Sequence, residues 1–450
     1  MTIQGRRQAQ VRRLGAVLRR DRDDRWAAMF GQVAGYSFVV AVITGILLLP
    51  FFHPSMATVV YHGPYAKLDG VPVSRAFRSV LAISFQVRGG LLVRQVHHWS
   101  ADVFVAAICL RLVRVFTRGR WSGLALRRWL IWVTLLPVGM LTAYSGTILP
   151  DDGLSGGSLG VITGVLLSVP MIGTHLVWWV FGGSPPGHLV IGRAYWVHIV
   201  VLPALTGTLL LLSFRPPLRR PRRLRWPGLG WVRRVRVNPL LPLTCGVLVL
   251  LGTVAQINPV WLIGPDQPGS ISAGAVPDWY MGFLDGPLRL MPAWEVPVAG
   301  HRLALDVLVP GLLLPFLFFT GLAVYPVVDR RFGNRAAAGA AGITFYGLLL
   351  AAASNDQIAY HLQVPLYVVT WTFRVAVLAG PVVAFVITRI AGQAMAARRR
   401  DEQQHGRETG RIVMNPRGGY TEIHETVHRA ALPTADPPAP GSDRDVRVDS

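Results

Sequence analysis

Long apolar runs alternate with short arginine-rich stretches along most of the chain. A helix needs about 20 apolar residues, at 1.5 Å each, to cross hydrocarbon. The runs at 30–52, 90–114, 127–149, 191–214, 239–258, 303–326, 337–354 and 366–390 approach or exceed that length and predict eight spans. A further run, "LGVITGVLLSVPMIGTHLVWWVF" at 159–181, is also long enough. Charge decides against it. Segments 1–29, 117–128, 215–236, 330–335 and 397–400 are rich in arginine, whereas 150–190 and 355–365 hold no Lys or Arg. Eight spans put every basic segment on the cytoplasmic side, as the positive-inside rule requires, and a ninth would break that pattern. Residues 159–181 are therefore expected as one or two helices on the outer surface, with both termini cytoplasmic.

The expected fold class is an all-α integral membrane protein of eight transmembrane helices, the first four forming a bundle. The regions are a basic segment 1–29, a four-helix region 30–236, a C-terminal four-helix region 237–395 and a polar tail 396–450, expected to be mostly loose. The first 29 residues carry eight arginines and no apolar stretch, so the first span is expected as a retained helix rather than a cleaved signal. Composition agrees: 52% of residues are hydrophobic and 15% charged. The net charge of +22 could suggest nucleic acid, but the arginines sit in loops between spans, which excludes a soluble nucleic-acid binder. Cys109 and Cys245 lie in apolar runs and read as small core residues.

The chemistry begins with "VRQVHHWSADVFVAAICLRLVRVF" at 93–116, in the second span. The second and fourth spans run the same way through the membrane. His97 and His198 then lie at matched depth in the outer half. Two imidazoles so placed can grip one planar group, as in bis-histidine haem ligation. The plain alternative is a buried histidine bonded to a backbone carbonyl. His98 is turned about 100° from His97 and cannot share its ligand position; a packing or hydrogen-bonding role is expected. Arg94 and Arg193 lie outward of the histidines, where they either meet haem propionates or anchor the interface. Gly45 and Gly146 sit at the same depth on the first and third spans. They either let a flat ring approach or serve ordinary helix packing.

The stretches "GQVAGYSFVVAVITGILL", "SFQVRGGLLVRQVHHW", "GTILPDDGLSG", "AQINPVWLIGP", "AVPDWYMGFLDG" and "HGRETGR", in this order, resemble cytochrome b, the membrane core of quinol–cytochrome c reductases, in its actinobacterial form. The resemblance runs from about residue 26 to about residue 425. It implies a haem-binding four-helix bundle, with two histidines 14 or 15 residues apart on each of the second and fourth helices, clamping two haems b. His97 and His198 then hold the outer, low-potential haem. The inner partners would be residues 111 and 213, which here are Arg111 and Ser213. Guanidinium has no lone pair for iron. Trp132 stands where the family has a second haem-contacting glycine, while Gly31 remains glycine. One haem b is therefore expected instead of two. Arg111 is expected to snorkel toward water at the inner end.

The resemblance also gives "PDWY", 277–280, to the quinol-oxidation pocket. Asp278 takes the place of the family's usual glutamate as proton acceptor, and an apolar pocket would raise its pKa. Tyr280 is either a hydrogen-bonding partner of the quinol or an interfacial aromatic, and Asp151 and Asp152 are structural or docking groups. The implied setting is a plasma-membrane complex with a Rieske-type iron–sulfur subunit, a cytochrome c subunit and quinol, most simply menaquinol, as a homodimer. Two other readings compete: a haem-binding paralogue without turnover, serving assembly or regulation, and an unrelated eight-helix transporter or enzyme. Transport predicts polar residues lining both halves, and the inner half is mostly leucine, valine and alanine.

Overall fold

Hydrocarbon offers a backbone no hydrogen bonds, so each apolar run must satisfy its own N–H and C=O groups as a helix. In the computed structural model the runs do so. The structure describes residues 3–119, 121, 124–183, 187–214, 238–267, 278–298, 301–332, 335–414 and 420–425. The helices relevant here are α1 (Ile3–Leu48), α2 (Arg75–Phe85), α3 (Gly90–Arg118), α4 (Leu124–Thr147), α5 (Gly153–Leu167), α6 (Gly173–Phe181), α7 (Val190–Phe214) and α8 (Leu240–Val254). They are followed by α9 (Gly282–Leu290), α10 (Leu305–Asp329), α11 (Arg335–Ala352), α12 (Asn355–Leu362) and α13 (Leu366–His405). Among the described residues, six helices are long and apolar enough to cross a membrane: the apolar parts of α1, α4 and α13 together with α7, α10 and α11. The remaining two of the eight are α3, whose 29 residues include Arg94, Asp102, Arg111 and Arg114, and α8, whose apolar helix is 15 residues long.

Residues 159–181 fall in α5 and α6, of 15 and 9 residues, broken at 168–172 where Met171 has φ 65°. Neither is long enough to span. Antiparallel two-stranded ribbons supply the strands: β1 (Thr58–Val60) with β2 (Pro72–Ser74), β3 (Glu295–Val298) with β4 (His301–Ala304), and β5 (Arg407–Met414) with β6 (Tyr420–Glu425).

The chain divides into a unit of residues 1–383 and a second of residues 384–450. Within the tail expected from 396 to be mostly loose, residues 396–414 and 420–425 depart from that expectation. Helix continues to His405, Gly406 turns with φ 87°, and the β5–β6 hairpin reaches Glu425. Ile412, Val413, Tyr420, Thr421 and Ile423 are strand formers, which a reading of net polarity overlooks. Residues 426–450 lie outside the described ones.

In the first unit α1 packs along α3, and α4 packs on both α3 and α7. Phe38 against Gly207 and Phe214 against Gly35 bring α7 back onto α1 and close a four-helix ring. Its core includes Phe104, Val105, Ile108, Trp129, Trp132 and Leu135, all nearly fully buried. We call the half nearer residues 117–128 the inner half. One turn of α3 also fixes the segment after α8. Arg94 donates to the Asn258 carbonyl (3.1 Å) and Trp99 Nε1 to the Ala255 carbonyl (2.7 Å). Gln95, 1% exposed, satisfies both backbone groups of Ile257, accepting its N–H (2.8 Å) and donating to its C=O (2.9 Å). Gly252 sits against Val96 and lets the two helices approach.

Replacing Gln95 by Leu leaves both Ile257 groups without partners, at roughly 1–3 kcal/mol each. A lower thermal midpoint in detergent is the expected result for Gln95→Leu; an unchanged midpoint would show that water or lipid replaces the amide.

Candidate functional site

A cavity of about 250 Å³ opens in the outer half, lined from all four bundle helices, with Gly45, His97, Gly146 and His198 among its walls. The two imidazoles face each other with ring centroids 6.1 Å apart and planes at 80°. Each is held by its Nδ1. His97 Nδ1 lies 2.9 Å from the Ala41 carbonyl and 3.0 Å from Thr44 Oγ1. His198 Nδ1 lies 3.1 Å from the Thr142 carbonyl and 3.0 Å from Ser145 Oγ. A carbonyl only accepts, so both Nδ1 atoms carry the proton and both Nε2 atoms keep a free lone pair. The hydroxyls agree, since each has a carbonyl for its own proton: Val40 for Thr44 (2.7 Å) and Thr142 for Ser145 (2.9 Å). Two imidazole lone pairs on rings this close can bind one metal centre between them, with carbonyls fixing the tautomers at Nδ1.

Local sequence explains the placement. Ala41 is four residues before Gly45, and Thr142 four before Gly146. Each glycine removes the side chain that would block its imidazole: a Cβ on Gly45 would lie 3.1 Å from His97 Cε1, and one on Gly146 2.7 Å from His198 Cε1. Helix α7 widens to a π-turn over Val197–Val201, at His198. Pro203 follows, and its missing N–H and bulky ring disfavour a regular α-turn there.

The two outward arginines part company. Arg94 lines the cavity, and its Nε is buried without a hydrogen-bond partner among the described residues. Arg193 is exposed, donates to the Trp179 carbonyl of α6, and is not among the lining residues. The structure therefore brings Arg94, not Arg193, to the cavity.

A second cluster adjoins the first. His98 Nε2 lies 3.0 Å from Asp278 Oδ1 and 4.0 Å from Asp102 Oδ2. The Tyr280 hydroxyl, on a side chain 1% exposed, donates to Asp278 Oδ2 at 2.9 Å. Both carboxylate oxygens are thus occupied, and His98 takes the hydrogen-bonding role expected of it. The expectation of a raised Asp278 pKa is overturned. Burial pushes the carboxyl up, but the hydrogen bond and charge of His98, with the Tyr280 bond, outweigh it and hold Asp278 below the usual carboxylate range. Burial and the neighbouring Asp278 push the Tyr280 phenol well above its ordinary value, so it remains a donor. Asp152 caps α5, accepting Ser155 N–H at 2.8 Å and the Ser155 hydroxyl at 2.7 Å, a structural role. Asp102 was missed from the sequence. Its signal was an acid inside a span, one helical turn from His98.

The inner half is different. Arg111 donates to the Ala27 carbonyl, and its guanidinium lies 4.3 Å from the centroid of the Trp132 ring. It points toward the inner end, as expected, and is partly buried against α1: a Cβ on Gly31 would lie 2.5 Å from Arg111 Nη1. Trp132 is 2% exposed and meets Phe214 edge-on at 6.2 Å. The buried Ser213 hydroxyl donates to the Leu210 carbonyl of its own helix (2.7 Å).

An eight-helix membrane protein with a closed N-terminal bundle is the fold of respiratory complex III cytochrome b. A solved chain of a hyperthermophilic respiratory complex III superposes with a TM-score of 0.55 at 18% identity, over 81% of this chain and 91% of that one. Residues 102–265 match a family model described as cytochrome b(N-terminal)/b6/petB. A cytochrome bc1 complex cytochrome b subunit of Streptomyces coelicolor is 40% identical over 91% of this chain and 80% of its own length. Subunits of the same description from Corynebacterium diphtheriae (34%; 92% and 83%) and Mycobacterium tuberculosis strain H37Rv (38%; 89% and 78%) are also similar. The chain belongs to this family of cytochrome b subunits of cytochrome bc1 complexes and is a multi-pass membrane protein.

The His98 contact carries a pH consequence. Asp278 has a lowered pKa, so its native interactions are complete above about pH 3.9, the ordinary carboxylate value, and are lost as pH falls through the lower folded value. His98→Ala removes the main opposing cause and leaves burial. The Asp278 carboxyl band in an infrared pH titration, assigned with Asp278→Asn, is then expected to appear at higher pH than in the parent chain. An equal or lower titration point would show that His98 does not hold the charge.

Proposed function

We propose that this chain is the quinol-oxidising redox subunit of a bc1-type quinol–cytochrome c reductase in the plasma membrane, with one b-type haem held by His97 and His198 in the outer half. On this reading its partners are a Rieske-type iron–sulfur subunit, a cytochrome c subunit and a second copy of itself, and its substrate is menaquinol. The observation that carries it is the pair of facing imidazoles with both Nε2 lone pairs free, between two glycines whose missing Cβ atoms leave the rings room. These residues fit haem: Nδ1 is fixed behind each ring, the walls are apolar, and the Arg94 guanidinium is at hand for a propionate. Haem bound there supplies a one-electron redox centre.

The protein's own groups handle the proton. Tyr280 and His98 hold Asp278 as a carboxylate. Asp278 takes a quinol proton by exchanging one of these hydrogen bonds for an O–H. Arg111 and Ser213 offer no ligand in the inner half, so electron transfer to an inner quinone is disabled. That replacement also favours a second reading, a haem-bearing paralogue for assembly or regulation. Haem reduction by quinol separates the two, since only the redox subunit needs it to be fast.

Pyridine haemochrome on the purified full chain is expected to give one haem, lost in His97→Ala and in His198→Ala. Two haems per chain would overturn the one-haem reading. Gly146→Ala, with the closer clash at 2.7 Å, is expected to lower haem occupancy more than Gly45→Ala at 3.1 Å. The reverse order would mean that the glycines do not make the cradle.

A further inference from the structure

The outer site and the Arg111 region are the same four-helix arrangement repeated one register inward. Gly31 precedes Gly45 by 14 residues, Arg111 follows His97 by 14, and Trp132 precedes Gly146 by 14. Fourteen residues make nearly four α-turns and about 21 Å of rise, which returns each position to the same face of its helix. On α7 the interval from His198 to Ser213 is 15, and the π-turn at Val197–Val201 accommodates the extra residue. The contacts repeat too. Gly31 faces Arg111 as Gly45 faces His97.

What fills the two levels differs. At the outer level the space between the glycines is a cavity. At the inner level the guanidinium takes the room left by Gly31, lies against the Trp132 ring, and spends its charge on the Ala27 carbonyl and the indole face. Trp132 replaces the second glycine and packs on Phe214. Arg111 Nε and Trp132 Nε1 are buried with no hydrogen-bond partner among the described residues. Buried polar atoms are seldom left so, and these two sit where side chains have been fitted into a space shaped for something else.

We infer that Arg111 and Trp132 form a plug in a latent second haem site, so that restoring His at 111 and 213 and Gly at 132 makes the same four helices bind a second planar iron porphyrin. This rests on the one-haem reading but is tested separately, because the parent chain's haem count tests that reading and the gain in a variant tests the plug.

The experiment uses the full chain with Arg111→His, Trp132→Gly and Ser213→His combined, purified from haem-replete cells beside the parent. A twofold rise in haem per chain is expected, with a second b-type component in an optical redox titration. The outer haem, removable by His97→Ala, serves as the internal check of folding. A triple variant that keeps its outer haem and gains none overturns the proposal, as does a parent chain already holding two. If the triple variant loses the outer haem as well, Arg111→His/Ser213→His with Trp132 retained decides. The plug requires no gain from that pair, and a second haem there would show that Trp132 excludes nothing.

Discussion

Two backbone carbonyls, those of Ala41 and Thr142, govern the outer half of the bundle. Each accepts an imidazole N–H from the neighbouring helix, and the Thr142 oxygen also accepts the Ser145 hydroxyl. The glycine four residues on clears the path by which the ring reaches the oxygen. A larger residue would close that path, and a free imidazole would be at liberty to swap tautomers. Tautomer, ring position and the lone pair left on each Nε2 all follow from this contact, made twice.

Much of the architecture was legible in the residues. Apolar run length and arginine placement located the spans, including the non-spanning 159–181, because both follow from the cost of moving backbone and charge into hydrocarbon. Histidine depth pointed to His97 and His198, and helical rotation separated His98 from them. Contacts made across the chain were not legible. Nothing local in "PDWY" shows that His98, 180 residues away, reaches Asp278 and reverses the expected direction of its pKa. Arg94 and Arg193 both lie outward of their histidines, yet the neighbouring α6 claims Arg193 with a carbonyl and leaves Arg94 to the cavity. The tail misled for another reason. Net polarity masked a short run of strand formers that a hairpin can use.

The bundle also shows how little of a scaffold must change for its contents to change. Gly31 faces Arg111 at the inner level as Gly45 faces His97 at the outer, and the two levels differ in the side chains at 111, 132 and 213. A membrane interior tolerates a guanidinium when its donors find a carbonyl and its face finds an indole. The arrangement at Arg111 meets both conditions without a carboxylate partner among the described residues.

The inferred inner plug bears on energy conservation. Each elementary charge moved across a membrane works against about 2.3 kcal/mol per 100 mV. On the proposed reading, with its one redox centre in the outer half and Asp278 as proton acceptor, the chain takes up electrons and the quinol proton on one side. Quinol oxidation by such a subunit transfers no net charge through the bilayer. It would be insensitive to membrane voltage, and so able to continue in a fully energised cell where an electrogenic relative stalls.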